Sequence, residues 1–561
     1  MIDYRLKLKA TTAATGFFEV VPEGVETLEA ALAALGKSPM DSFMRQRALT
    51  FLGNLGEEGL GAMLAEADLF VKGLIYEACL AFDAFAGLRA SLEGEGWSPE
   101  AVESPLTYGR YVAAHGTSAH PWTEMLVENV DRLVELPFFG DAPVLSAAPE
   151  PTGPSEPLPV AAMAAEIRQE VSAMERVSAA ETASIAKAKL EAAGIFTGSE
   201  MRHQASLSPL ALQRTWKVAT RVCQGDLAYT LTGEQTSYGK GLSLADARAS
   251  LYMEIAERLS SYASIEDGHV TGTIQGHEVT KARHSELLAK GKRALDPNAL
   301  MLDVPYRDEP LHWMEGTMVT SEGEKPVLVP VQAVFLFMNL DEPSLFSSLG
   351  STGLASGNTF DEACVSGLYE ALERDAEATQ PFDPALCFEL YTANENLGPL
   401  LSAYRQEGVS LFFQELTGRL GVPICKAMVI DHEGAVAKGC AAHLDARRAA
   451  VSSMTEVPFA FPGGEASMAP PTRPVPVHEE QLPDYSTGSA SGDRRLLEAL
   501  LAEEEFTPVY VELTRKDLEI PVVKTLVPGF AFTADFDRFT RLSPKTVNCA
   551  AAMMKARHCN H

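Results

Sequence analysis

At 561 residues the chain exceeds one ordinary hydrophobic core, which implies roughly two to four domains. Hydrophobic residues make up 46% and charged residues 22%, a balance that excludes a disordered or fibrous protein. A net charge of -30, from 76 acidic and 46 basic residues, opposes a nucleic-acid backbone or an anionic membrane as the main partner. No apolar run approaches the ~18 residues that cross a bilayer. The start, Met1-Ile-Asp-Tyr-Arg-Leu-Lys, lacks a signal-peptide core, and the eight cysteines are scattered without a Cys-x-x-Cys pair. The expectation is a cytoplasmic protein with reduced thiols, without nucleic-acid or membrane partners.

From about Leu28 to Leu136 the apolar residues recur with helical spacing, so residues 1–140 read as a helical N-terminal domain. Residues 141–163 carry Pro143, Pro149, Pro151, Pro154, Pro157 and Pro159 and read as an extended linker. A fragment beginning near Pro159 is therefore expected to fold on its own. Residues 164–545 form the main domain, whose entry is a long Ala- and Glu-rich helix over about 161 to 193. Strand candidates Lys217–Cys223 and Leu227–Leu231 then precede a first acidic helix. An alternating run from Pro326 to Phe337 precedes a second, and Ile424–Ile430 with Ala435–Cys440 precedes a third that holds Glu456. The fold class expected is α/β, built from repeated strand-helix units. A Pro/Gly/Ser-rich insertion interrupts it at about 458–492, strands Tyr510–Leu513 and Pro521–Val527 close it, and 546–561 is a tail. That tail holds His558, Cys559 and His561, metal-ligand types at an end expected to fray.

The chemistry concentrates in the first two acidic helices. Ser250-Leu-Tyr-Met-Glu254-Ile-Ala-Glu257-Arg258 and Ser366-Gly-Leu-Tyr-Glu370-Ala-Leu-Glu373-Arg374 share a Glu-x-x-Glu-Arg core. Spacing of i, i+3 puts each Glu pair on one side of its helix. A single such helix ordinarily presents a solvated face. Two matching copies, each behind a Gly-rich turn (Gly239-Lys240-Gly241 and Gly353 to Asn358), favour a shared ligand. Carboxylates suit hard cations such as the Mg²⁺ that accompanies ATP, and helix N-termini after glycines offer backbone donors to phosphate. The Arg residues either fix the Glu rotamers or offset charge on a transferring phosphoryl group. Gly239-Lys240-Gly241 is not a P-loop, because Gly233 stands one residue too far upstream and Gly241 replaces the Ser or Thr. As a plain turn it would be unremarkable, and its position alone makes Lys240 a candidate phosphate contact. Asn358 is likewise a helix cap by type and a ligand contact by position. No Gly-x-Ser-x-Gly, His-Glu-x-x-His or Gly-x-Gly-x-x-Gly pattern offers a different chemistry.

At these residues, from about 165 to 539, the chain resembles the YcaO family of ATP-utilising enzymes. The His443 to Glu456 segment and Val527-Pro528-Gly529 complete the likeness. The resemblance implies a YcaO-like domain that takes ATP and Mg²⁺ as cofactors. Glu254, Glu257, Glu370 and Glu373 would serve the metal. Lys240, Ser250, Arg258, Asn358 and Glu456 would contact the nucleotide, and Arg374 with Glu373 would act in catalysis. It also implies an enzyme that phosphorylates a backbone amide of a peptide or protein, leading to a thioamide, an azoline or a related product. The alternative implied is a non-catalytic ATP-binding adaptor that supports a sulfur-transfer enzyme of the methylthiolation type acting on a ribosomal protein. Partners would be the peptide or protein substrate and a sulfur-delivery or leader-binding protein, with a homodimer compatible. Two positions depart from the family pattern: Phe459 stands where Gln is common, and the chain ends Lys555-Ala-Arg-His-Cys-Asn-His561 rather than in a Pro-rich segment, which points away from ring formation.

Overall fold

The computed structural model describes residues 1–9, 17–98, 120–138, 157–532 (apart from 173, 175, 303, 347 and 348) and 542–559. Among the described residues three sheets organise the α/β fold. In the first, Leu212–Gln224 and Leu227–Gly239 form a long antiparallel hairpin. In the second, Leu311–Thr320 lies between Gly323–Pro330 and Val509–Glu512, and Val522–Leu526 and Leu354–Ser356 continue the sheet. The third runs Val436–Ala442, Ile424–Ile430, Phe412–Glu415, Cys387–Tyr391, Val475–His478. Ile424–Ile430 is buried at every position, as expected of an apolar run covered on both faces. Among the described residues no helix is long and apolar enough to cross a membrane.

The N-terminal region opens with two strands ahead of its helices. Ile2–Lys9 pairs in parallel with Leu227–Gly239, from Ile2 opposite Tyr229 to Leu6 opposite Gly233, and Phe17–Pro22 pairs antiparallel on its outer side. Gly233 is required by this approach, since a Cβ there would stand 2.6 Å from the Leu6 carbonyl oxygen. Helices follow at Leu28–Leu35, Ser42–Gly53, Gly56–Glu66, Leu69–Ala81, Ala86–Gly94 and His120–Arg132. The apolar faces of the first five join the same core as the first two sheets, where Tyr4, Met44 and Leu49 share one cluster with Trp216, Tyr229, Leu251 and Val522, whereas Trp122 and Leu126 of the sixth belong to a separate cluster. A buried polar network fastens the junction. The Tyr4 hydroxyl donates to Asp41 Oδ2 (2.6 Å), Asn339 Nδ2 donates to Asp41 Oδ1 (2.9 Å), and the Asn339 amide donates to the Tyr229 hydroxyl (3.2 Å).

Other boundaries also move. Most of the proline linker lies outside the described residues, but its end does not: a helix begins at Val160, and Val160 and Ala164 are buried in the main core. The long entry helix is two helices, Val160–Glu170 and Ala179–Ala192, the second capped by Ser178. The insertion supplies Val475–His478 as a parallel edge strand against Cys387–Tyr391. The tail begins inside a helix, Pro544–Cys559, whose Val547, Ala550 and Met554 pack against Trp122 and Leu126. The side chains of His558, Cys559 and His561 lie outside the described residues.

Candidate functional site

Each acidic helix is seated by a glycine that lets a strand end run directly beneath it. A Cβ on Gly239 would stand 2.2 Å from the Ala247 carbonyl oxygen, and one on Gly439 2.3 Å from that of Ser453. In the second unit a Cβ on Gly357 would stand 2.4 Å from the Ala363 amide of the helix, while one on Gly353, at φ +77°, would clash with the Thr525 carbonyl oxygen of the adjacent strand at 2.0 Å. The helices then start at strong caps: Ser243 with Asp246 in a capping box for Leu244–Ser260, Thr359 for Phe360–Thr379, and Asp445 for Ala446–Glu456.

The three units meet around one cleft. Ser356 of the second unit donates to the Met253 carbonyl in the first helix (3.0 Å), and the Leu444 amide of the third donates to Tyr369 of the second (3.3 Å). Lys240 closes the circuit by pairing with Glu456 at 2.6 Å. Within the cleft, Arg258 Nε lies 3.5 Å from Glu257 and 3.8 Å from Glu254, and Arg374 Nη2 lies 3.6 Å from Glu373. Glu370 Oε2 accepts the Gly353 amide at 3.1 Å. Structure thus brings together Lys240, Glu254, Glu257, Arg258, Glu370, Glu373, Arg374 and Glu456.

Two further expected contacts lie outside this set. Ser250 is exposed, one turn before Glu254 on the same helix face. Asn358 is not the cap, which is Thr359, and its side-chain oxygen accepts the Thr182 hydroxyl at 3.2 Å. Phe459 packs against the core of the third sheet.

Electrostatics distinguish this cleft from a solvated surface. Burial pushes the Glu254 carboxyl up to about 7, against the pull of Arg258. Burial likewise raises Glu257, Glu370 and Glu373, with Arg258 or Arg374 opposing it, and neighbouring carboxylates add to it at Glu257 and Glu373. Yet the Glu254 side chain is 31% exposed, so a ligand can reach it. Carboxylates that lack sufficient positive charge in a cleft are what a hard cation satisfies, so the donor set fits Mg²⁺. They are not a preformed cage. Among the described residues no three His, Cys, Asp or Glu groups converge on one point, and Arg258 and Arg374 stand between them.

Two lysines escaped the sequence reading. Lys524 is 1% exposed, donates to the Gly350 carbonyl at 2.8 Å, and is drawn down to about 7 by burial despite the fields of Glu370 and Glu257. Lys426 is buried beside Glu377, at 3.4 Å. The available signal was a lone lysine inside an otherwise apolar strand, in Pro521-Val-Val-Lys524 and Ile424-Cys-Lys426.

Comparison with known proteins follows the same residues. The model of the YcaO cyclodehydratase family, described as ATP- and Mg²⁺-binding, matches residues 238–462. An uncharacterised protein of Methanothermobacter thermautotrophicus is 31% identical over 346 residues, covering 54% of this chain and 84% of its own. An uncharacterised protein from the tfuA 3' region of Rhizobium leguminosarum bv. trifolii is 29% identical over 234 residues, covering 39% and 53%. Among solved structures, a heterocyclase in complex with substrate and cofactor aligns with a TM-score of 0.49 and 16% identity, over 66% of this chain and 56% of that one. YcaO from Methanopyrus kandleri bound with AMPPCP and Mg²⁺ aligns with a TM-score of 0.44 and 23% identity, over 63% and 91%. The family match begins at the Gly239 turn and runs through all three cleft-forming helices, and with a relative matched over most of its length it establishes that this chain belongs to the YcaO family, which binds ATP and Mg²⁺.

Proposed function

We propose that this protein uses Mg-ATP to activate a backbone amide in a peptide or protein. The observation that carries the reading is the charged cluster itself: two helices present half-buried carboxylates whose pKa values are raised, interleaved with Arg258 and Arg374. Glu254, Glu257, Glu370 and Glu373 would hold magnesium, which would neutralise phosphate charge during transfer. Lys240 would trade Glu456 for a phosphate oxygen, and Ser250 and Arg258 would contact the nucleotide from the first helix. Asn358 would orient the turn that carries the second helix. Arg374, backed by Glu373, would offset the charge that develops on the moving phosphoryl group.

The family description, cyclodehydratase, supports a chemistry in which the amide oxygen is lost. Phosphorylation of that oxygen makes it a leaving group. A Cys, Ser or Thr side chain then gives an azoline, sulfide a thioamide, and an amine an amidine. A partner that delivers sulfur or recognises a leader fits the same scheme. The test is isotopic. With heavy oxygen at the target carbonyl, released inorganic phosphate should carry the label. Unlabelled phosphate beside a modified peptide overturns direct amide phosphorylation, and phosphate without peptide change favours an adaptor that turns over ATP for another enzyme.

A further inference from the structure

Behind Arg374 lies an ion pair that the nucleotide scheme does not use. Glu377 follows Glu370 and Glu373 along the helix at i+7 and i+4, so it extends their face by a further turn. Its carboxylate divides its oxygens between two cations: Oε2 lies 3.3 Å from Arg374 Nη1, and Oε1 lies 3.4 Å from Lys426 Nζ. Glu377 and Lys426 are each only 7% exposed, whereas Arg374 is 41% exposed and borders the cleft. Arg374 also reaches Glu373 through its other terminal nitrogen, so its guanidinium is held from two sides. Lys426 comes from the wholly buried strand Ile424–Ile430 and therefore has a rigid base.

The charge states differ along this one helix. Burial pushes Glu377 up, but Lys426 and Arg374 pull it below the ordinary carboxylate range. Glu370 and Glu373 move the other way. The helix thus keeps a firm anion behind the arginine and carboxylates short of cations in front of it. A buried ion pair seldom repays its desolvation, and apolar residues of similar volume would serve stability at least as well. Stability alone does not account for it.

We propose that Glu377 and Lys426 are a positioning pair that fixes the Arg374 guanidinium for phosphoryl transfer. The inference rests on the nucleotide reading of the cleft. Neither residue touches the reacting atoms; both act through Arg374. Glu377→Gln or Lys426→Met should lower kcat for phosphate release by about 10- to 100-fold, with KM for ATP changed by less than about threefold. Lys426→Arg, which keeps the charge, should restore most of kcat.

Because a single substitution strands a buried charge, the decisive protein is the double variant Glu377→Leu with Lys426→Met. It should melt at or above the wild-type temperature and still show the loss in kcat. Adding Arg374→Ala to it should then cost far less than Arg374→Ala costs alone. A double variant that recovers both melting temperature and kcat overturns the inference, as does an undiminished Arg374→Ala effect in that background. Wild-type protein that neither binds nor cleaves Mg-ATP overturns the nucleotide reading and this inference with it. Wild-type turnover with unaffected variants overturns this inference alone.

Discussion

Glu254 and Glu370 occupy matching positions on two helices, and their burial leaves both carboxyls short of positive charge. Substituting Glu254→Gln or Glu370→Gln removes a charge the fold does not favour but magnesium does. Each variant should lose at least about tenfold in Mg-ATP affinity, by calorimetric titration, while melting no lower than wild type. Equal affinity across a magnesium titration would remove these residues from the site. His443 gives a pH prediction away from the carboxylates. Burial first, then Arg448, draws its imidazole from 6.5 down to about 4, against Asp445 and Asp484, and its Nδ1 accepts the Asp445 amide at 2.8 Å. The folded state prefers the neutral ring, so this stabilisation is complete above the unfolded value of 6.5. It is lost as pH falls through about 4. The melting temperature of His443→Gln relative to wild type should therefore improve as pH drops from about 7 to about 4.5; a constant difference would contradict the assignment.

At the scale of elements, the site depends on strand ends passing directly under the helices. Gly239→Ala would drive a Cβ to 2.2 Å from the Ala247 carbonyl oxygen and 2.4 Å from the Leu251 amide, so the first acidic helix must shift. The expected cost is about 1–3 kcal/mol in denaturant unfolding with a larger loss of Mg-ATP binding. Gly276→Ala is the control, since nothing lies within 4 Å of a Cβ there. If both substitutions behaved alike, close packing would not be what sets the helix. Several elements were plain in the sequence. Ile424–Ile430 lies where its apolar run predicts, and Leu227–Leu231 opens the strand Leu227–Gly239. The run from Pro326 overshoots, because the strand ends at Pro330 and a short 3-10 turn takes Val331–Ala333. Alternation alone does not mark where hydrogen-bonded pairing stops.

For the whole molecule, the decisive contact is between the chain's first strand and a hairpin more than two hundred residues later. Removing residues 1–158 would strip Ile2–Lys9 from the edge of Leu227–Gly239 and leave Tyr229 and Asn339 without the Tyr4 and Asp41 ends of their network. Such a fragment should aggregate, because an exposed strand edge and a stripped apolar face both seek new partners. Proteolysis within the proline-rich stretch of the intact protein should instead leave two fragments that elute together in size-exclusion chromatography. A monomeric, nucleotide-binding fragment beginning at Pro159 would show that the two parts are separable after all.

By itself the sequence determined the local half of this protein. Helical periodicity places Glu254 with Glu257 and Glu370 with Glu373, and glycines mark the turns ahead of them, because both depend on residues within a few positions of one another. Matching copies of that pattern also disclosed the family. Only the tertiary structure decided which cations meet the acidic side chains of these helices. Lys426 and Lys524 arrive from strands distant in the chain, and Lys240 crosses to Glu456 in the third unit. The same holds for the opening strand, whose parallel partner is remote and whose apolar residues carry no mark of the edge they will join. Strand pairing and buried charge compensation are settled by the neighbours that burial brings together, and a linear pattern does not record them.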